Sequence, residues 1–234
     1  MIRHLTALLL GATLLTSAHA NEKAIKAALE AKLGAKVESV TKSGYLNLYE
    51  VYFDGQMLYT DDKVSVLIGG PLIDAKTMRN VTDERMKKLS AIKFSDLPLD
   101  RAFKQVRGDG KRVLATFEDP NCGYCKRLAK ELTKLDNITV YTFLVPILSE
   151  DSFKKSKQIW CASDRAKAWN DWMVENKAPE GKDDCDTTAI ANNMAYAKKL
   201  KINGTPTLVF ADGERIPGAI PLDRIEAKLQ ALSK

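Results

Sequence analysis

The chain has 234 residues, with 36 Lys or Arg against 30 Asp or Glu, a net charge of +6 and 45% hydrophobic side chains. That length accommodates one or two globular domains. The basic side chains are interspersed with acids rather than clustered, which describes a solvated surface and argues against a nucleic-acid-binding face.

Residues 1–20 carry Arg3 and His4, an apolar run from Leu5 to Leu15, and Ala18-His19-Ala20. A charged start, an apolar stretch too short to span a bilayer and an A-x-A ending are the pattern of a cleavable secretory signal, with the mature chain starting at Asn21. No cysteine follows the apolar run, so a lipid anchor is not expected, and no later stretch reads as a membrane helix. Both histidines, His4 and His19, fall inside this segment. A chain starting at Asn21 therefore has no imidazole, which excludes Ser-His and Cys-His catalysis and histidine metal sites.

From Asn21 to Leu33, Ile25, Ala28, Leu29 and Leu33 recur at helical spacing, and Gly34 ends the pattern. Strand-like runs follow, in which Tyr49, Val51 and Phe53 alternate. Asp54-Gly55 marks a hairpin turn, Met57–Thr60 and Lys63–Ile68 continue, and Gly69-Gly70-Pro71 breaks the run. A helix and an antiparallel sheet within residues 21–80 make a small α+β domain with little core of its own. Such a domain gains from pairing with a second copy, and its last strands are candidates for the pairing edge. Thr82–Lys93 is charged, with Asp83 and Glu84 early and Lys87 and Lys88 later, the order that suits a helix dipole. Residues 81–94 read as a linker helix.

Residues 95–234 change pattern. The expected order is a helix over Asp100–Val106, a strand over Arg112–Phe117, a helix over Cys122–Leu135 and a strand over Ile138–Leu144. A largely helical insertion follows at about 150–200, then a strand over Thr207–Phe210, the turn Asp212-Gly213, a short strand over Glu214–Ile216 and a helix over Leu222–Leu232. This order is that of a thioredoxin fold with an inserted helical segment. Trp160, Trp169 and Trp172 fall in the insertion and read as its core.

Four cysteines lie beyond the signal: Cys122, Cys125, Cys161 and Cys185. In an exported chain disulfides persist, and three pairings are possible. The simplest has Cys122 and Cys125 as a redox-active pair and Cys161–Cys185 as a structural bond within the insertion. A four-cysteine zinc site needs two close pairs, and Cys161 and Cys185 are far apart. Cys122-Gly123-Tyr124-Cys125 stands between a strand and a helix. There Cys122 sits at a helix N-terminus, whose free N–H groups favour a thiolate, while Cys125 lies a turn inward as a resolving thiol. Lys126 and Arg127 follow and add positive charge or point to solvent. Some redox proteins of this fold place a buried acid six positions before the first cysteine; that position here is Thr116. Gly204-Thr205-Pro206 precedes the strand at Thr207. In redox domains of this kind such a proline is usually cis and lies against the cysteines, offering backbone groups to an extended peptide.

On Phe117, the Cys122-Gly123-Tyr124-Cys125 tetrapeptide, Gly204-Thr205-Pro206 and the later pair Cys161 and Cys185, the chain resembles the DsbC/DsbG family of periplasmic thiol:disulfide interchange proteins over essentially its whole length. The resemblance implies a cystatin-like N-terminal dimerisation domain and a V-shaped homodimer with an apolar cleft in the periplasm of a Gram-negative bacterium. It implies isomerisation of wrong disulfides in misfolded exported proteins, with chaperone activity. It implies an active site kept reduced by the membrane reductase DsbD. Cys122 is then the attacking thiol, Cys125 the resolving one, and Gly123, Tyr124, Thr205 and Pro206 contact substrate. No organic cofactor, metal, nucleic acid or membrane insertion is implied. A reductase of sulfenylated cysteines, like the DsbG branch, and a redox-independent chaperone are the competing readings; Gly123, where DsbG proteins usually have proline, favours the isomerase.

Overall fold

The computed structural model describes residues 14–233, with side chains from Asn21 onward. Most of the expected signal segment lies outside the described residues. The chain divides into two compact units, residues 1–86 and 87–234.

In the first unit, helix α1 (Leu14–Leu33) starts ahead of Asn21 and ends at Gly34, whose positive φ of 62° provides the left-handed stop. Ile25 and Leu29 are buried, one face of the helix, whereas Ala28 turns outward. They pack with Val37, Val40, Tyr49, Val51 and Val64. The sheet runs β1 (Ser39–Lys42), β2 (Tyr49–Phe53), β3 (Gln56–Thr60) and β4 (Leu67–Gly69), antiparallel throughout. Asp54 and Gly55 both take positive φ (46° and 76°), the two-residue turn whose twist matches the flanking strands. β2 is buried along nearly its whole length rather than alternating, because Glu50 is enclosed by Arg85 and by the Thr41 hydroxyl, which donates to it at 2.6 Å. The strand expected from Lys63 starts only at Leu67. Asp61 accepts from the Ser65 amide at 2.7 Å and bends the chain there, turning Val64 into the core. Strand β1 and a short hairpin of β5 (Ile73–Asp74) and β6 (Arg79–Asn80) escaped the sequence reading.

Helix α2 (Val81–Leu89) carries the chain into the second unit and ends earlier than the expected Lys93. The cause is Ile92, which is buried and donates its amide to the Gly213 carbonyl at 2.9 Å, fixing extended backbone there.

The second unit is a five-stranded sheet in the order β11 (Arg215–Pro217), β10 (Thr207–Phe210), β8 (Arg112–Glu118), β9 (Ile138–Leu144), β7 (Phe103–Arg107). Only β8 and β9 are parallel. The helix expected at Asp100–Val106 is absent. Leu99–Arg101 makes one 3-10 turn, and β7 pairs antiparallel with β9 at the sheet edge, Phe103 inward and Val106 outward. Lys104, Gln105 and Arg107 favour a helix, and non-local pairing, with the strand-prone Phe103 and Val106, overrides that preference.

Alternate residues of β8 serve opposite faces. Ala115 and Phe117 join Phe143 and Ala197 on the face covered by α6 (Thr188–Lys199), with Phe117 stacked on Phe143 at 4.7 Å. Leu114 joins Val140, Leu128 and Ile225 on the face covered by α3 (Gly123–Leu132) and α7 (Leu222–Ala231). The insertion is two further helices, α4 (Glu150–Cys161) and α5 (Arg165–Met173), an irregular stretch, and then α6. Ser149 caps α4 by accepting from the Ser152 amide at 3.1 Å, and Asp164 caps α5 by accepting from Lys167 at 2.9 Å. Cys161 and Cys185 form a disulfide that ties the end of α4 to the irregular stretch before α6.

Candidate active site

The loop between β8 and α3 presents the Cys-x-x-Cys pair. Glu118 is the last residue of β8, and its carbonyl accepts from Val145 at 2.8 Å. Asp119 is fully buried. Its carboxylate accepts from the amides of Asn121 (2.7 Å), Ile147 (2.8 Å) and Leu148 (3.0 Å), which joins this loop to the one after β9. The Asn121 amide group donates to Asp151 at 2.7 Å, adding a tie to α4. The Pro120 carbonyl accepts from the Trp172 indole at 2.6 Å.

Held this way, Cys122 is the N-cap of α3. Its sulfur accepts from the Cys125 amide at 3.4 Å, and its thiol donates to the Thr205 carbonyl at 3.3 Å. Neither thiol is bonded to another sulfur. The Cys125 thiol, the Thr205 side chain and the backbone amides of Cys125 and Tyr124 all hydrogen-bond the Cys122 sulfur. Against the opposing effect of burial they hold Cys122 down at about 5. Cys125 is completely buried, and burial first, then the hydrogen bond it gives Cys122 and the Glu118 charge, push its thiol far up. The two thiols are therefore unlike, one a thiolate at neutral pH and one held as a thiol, which is the asymmetry that exchange requires.

The surroundings are largely apolar. Phe103, Leu144, Ile159, Trp160, Trp169 and Met173 form one cluster with both cysteines, and Trp172 packs against it. The insertion tryptophans are thus not only core of the insert; they wall the cysteine pair. The Lys126 ammonium stands 3.7 Å above the Trp172 ring and donates to Asn176 at 2.8 Å. Arg127 lies over the Tyr124 ring. Gly123 faces open space, and Tyr124, Ile147 and Leu148 are exposed. The Thr205–Pro206 bond is cis, and Pro206 is buried.

Two residues of this site were missed from the sequence, Asp119 and Glu118. Thr116 does occupy the position six before Cys122, but an acid is present two residues further along the same strand face. Glu118 is 1% exposed, and burial first, then the Cys122 charge, raises its carboxyl to about 8. Strand alternation from Leu114 through Thr116 to Glu118 was the signal that could have found it.

A central strand running into a helix capped by a low-pKa cysteine, with a buried cysteine one turn on, defines a thioredoxin-fold thiol–disulfide oxidoreductase. Comparison with known proteins agrees. Residues 99–233 match the thioredoxin-like domain family, and residues 16–83 match the disulfide bond isomerase protein N-terminal domain family. A probable thiol:disulfide interchange protein DsbC of Bordetella parapertussis is 52% identical over 196 residues, spanning 84% of this chain and 69% of that one. The thiol:disulfide interchange protein DsbC of Escherichia coli K12 is 30% identical over 211 residues, 87% of this chain and 85% of that one. Among solved structures, a disulfide interchange protein from Neisseria gonorrhoeae superposes with a TM-score of 0.55 at 42% identity, covering 58% of this chain and 97% of that chain. This chain belongs to the DsbC family of thiol:disulfide interchange proteins.

Proposed function

We propose that this thiol:disulfide interchange protein is a disulfide isomerase. In this reading the Cys122 thiolate attacks a wrong disulfide of a misfolded exported protein and forms a mixed disulfide. A substrate thiol then reshuffles the bond, or Cys125 resolves it. The observation that carries the reading is the contrast between the two thiols, Cys122 held near 5 and Cys125 pushed far up by burial. A nucleophile that stays a thiolate and a partner slow to ionise favour a long-lived mixed disulfide, the intermediate that reshuffling needs. The electrons move between cysteine pairs, and no organic cofactor or metal takes part.

The same reading places the protein in the periplasm, with residues 1–20 removed and DsbD as reductant. No helix among the described residues is long and apolar enough to cross a membrane. It also makes residues 21–80 a dimerisation domain. In support, β4 is an edge strand whose Leu67 and Ile68 are exposed, unusual for a lone domain. Exposed Tyr124, Ile147 and Leu148 beside Cys122 offer an apolar rim for unfolded chains and for chaperone action.

The test is refolding of scrambled ribonuclease, run beside reduction of a sulfenylated protein. The isomerase reading expects the first activity to dominate, to vanish in Cys122→Ser and to persist in part in Cys125→Ala. Dominance of the second would assign the protein to sulfenic-acid rescue. Suppression of aggregation that survives loss of both cysteines is expected as an additional, redox-independent property.

A further inference from the structure

Asp119, Pro120, Asn121 and Cys122 form a β-turn closed by the Cys122 amide, which donates to the Asp119 carbonyl at 3.1 Å. A proline in the second place fits two turn types, which differ in the way the middle peptide, Pro120–Asn121, faces. The type with that peptide reversed puts its third residue at positive φ, which asparagine tolerates. The residues alone therefore leave the turn open, and Asn121 here stays out of the left-handed region. Cys122 ends this turn and caps α3, so the reactive sulfur takes its place from whichever turn is adopted.

Both ends of the middle peptide are held. Its N–H, from Asn121, donates to the Asp119 carboxylate at 2.7 Å, and its carbonyl, from Pro120, accepts from the Trp172 indole at 2.6 Å. Asp119 is local, whereas Trp172 comes from α5 of the insertion, 52 residues on from Pro120. The indole is itself fixed, because its ring faces two ammonium groups, Lys126 of α3 at 3.7 Å and Lys155 of α4 at 4.8 Å. Lys126 donates on to Asn176, just past α5, at 2.8 Å. Lys155 pairs with Asp151, which also accepts from Asn121 at 2.7 Å. One side chain thus grips the redox loop two residues before Cys122 and one residue after Cys125. Apolar packing of the insertion against the cysteines requires none of these polar contacts.

We propose that Trp172 is a positioning residue for the exchange reaction: its indole N–H selects the Asp119–Cys122 turn and thereby sets the Cys122 sulfur on the N-terminus of α3. The proposal rests on Cys122 being the attacking thiol. Without this donor the Pro120 carbonyl is released and the middle peptide can face either way. The Cys122 sulfur then spends part of its time away from the Cys125 amide, which donates to it at 3.4 Å and favours the thiolate. The insertion so acts on reactivity through one hydrogen bond.

In the full-length reduced protein, the pH profile of Cys122 alkylation by iodoacetamide reads the thiolate directly. Trp172→Phe keeps an aromatic face for the two lysines and removes the donor. Its midpoint is expected to move upward, slowing the reaction about threefold at pH 5 and leaving it within about twofold of the parent at pH 8, where the thiol is ionised in both. Asp164→Ala is the structural control, since it removes the side-chain cap of α5 and keeps the indole. It is expected to lower thermal stability and leave the midpoint in place. A Trp172→Phe profile that overlays the parent, or an Asp164→Ala profile displaced equally far, would overturn the proposal. Alkylation at the parent's rate in Cys122→Ser would instead overturn the assignment of the attacking thiol. Should Trp172→Phe not fold, 3-benzothienylalanine in place of Trp172, with the indole's shape but sulfur for its N–H, decides. The same displacement is expected, and an unmoved midpoint refutes the role of the donor.

Discussion

The Cys122 sulfur and the Thr205 carbonyl oxygen are 3.3 Å apart although 83 residues separate them in the chain. The reactive thiol is thus set by two distant segments, the N-terminus of α3 and the turn ahead of β10. The rate of Cys122 alkylation by iodoacetamide should rise with pH around a midpoint of about 5 and be level at neutrality. Thr205→Val removes a hydroxyl that favours the thiolate and keeps the backbone carbonyl, so its midpoint should move upward. A profile for Thr205→Val that overlays the parent would show that α3 alone sets the thiolate.

The same low value ties redox state to stability. The folded Cys122 titrates near 5 and the unfolded one near the ordinary thiol value of 9.0, so the folded state holds fewer protons between these limits. Its contribution to the reduced protein is therefore fully present above about 9 and is lost as pH falls through 5. In the disulfide form Cys122 does not titrate and contributes nothing of this kind. The melting temperature of the reduced protein relative to the oxidised one should climb as pH is raised from 5, and reduced Cys122→Ser should lack the part of the rise that the reduced parent shows over its own disulfide form. A reduced-minus-oxidised difference that is flat from pH 5 to 8 would contradict the low thiol value.

Asp119 organises the loop from below. Its carboxylate serves the amides of Asn121, Ile147 and Leu148, and removing it leaves three donors without partners in a part-buried place. Asp119→Ala should cost about 2–3 kcal/mol in urea unfolding and broaden the Cys122 pH profile, because the N-cap geometry loosens. Asp119→Asn, which keeps one acceptor oxygen, should lose less. Equal stability of Asp119→Ala and the parent would mean that water replaces the carboxylate at no cost.

Much of this was legible in the residues, and the limits have physical causes. The tetrapeptide at Cys122, the turn at Thr205 and strands such as Ile138–Leu144 and Thr207–Phe210 declare themselves through local chemistry or continuous apolar runs, and β9 and β10 begin and end where expected. Asp100–Val106 misled because an edge strand is specified by its partner β9 rather than by its own composition. Asp119 had no signal of its own and Glu118 only the strand alternation, for a related reason. Each is an ordinary acid in a polar-looking stretch, and only burial by the α3 N-terminus, the loop after β9 and the insertion makes one an amide clamp and the other a raised carboxyl. The tryptophans were correctly placed in a core, but which core depends on the return of α4 and α5 onto the cysteine pair, as in the 5.6 Å approach of Trp169 to Phe103 of β7.

The Cys161–Cys185 bond closes a loop of sequence separation 24 that includes α5 and the irregular stretch before α6. By chain entropy such a closure contributes about 3–4 kcal/mol, chiefly by restricting the unfolded chain. Cys161 is the last residue of α4 and Cys185 is exposed next to Asp186. Cys161→Ser with Cys185→Ser should therefore lower the unfolding free energy of the second unit by about that amount. The midpoint for Cys122 alkylation should stay near 5, because none of the groups that hold it there belongs to the bond. The Trp160 indole donates to the Asp186 carbonyl at 3.1 Å, and this contact should persist as a residual tie in the double variant. Combining Trp160→Phe with the two serines should then loosen the loop further, seen as faster proteolysis between residues 174 and 187. If the double variant instead lost thiolate reactivity at unchanged stability, the bond would be acting on the active site rather than on the fold.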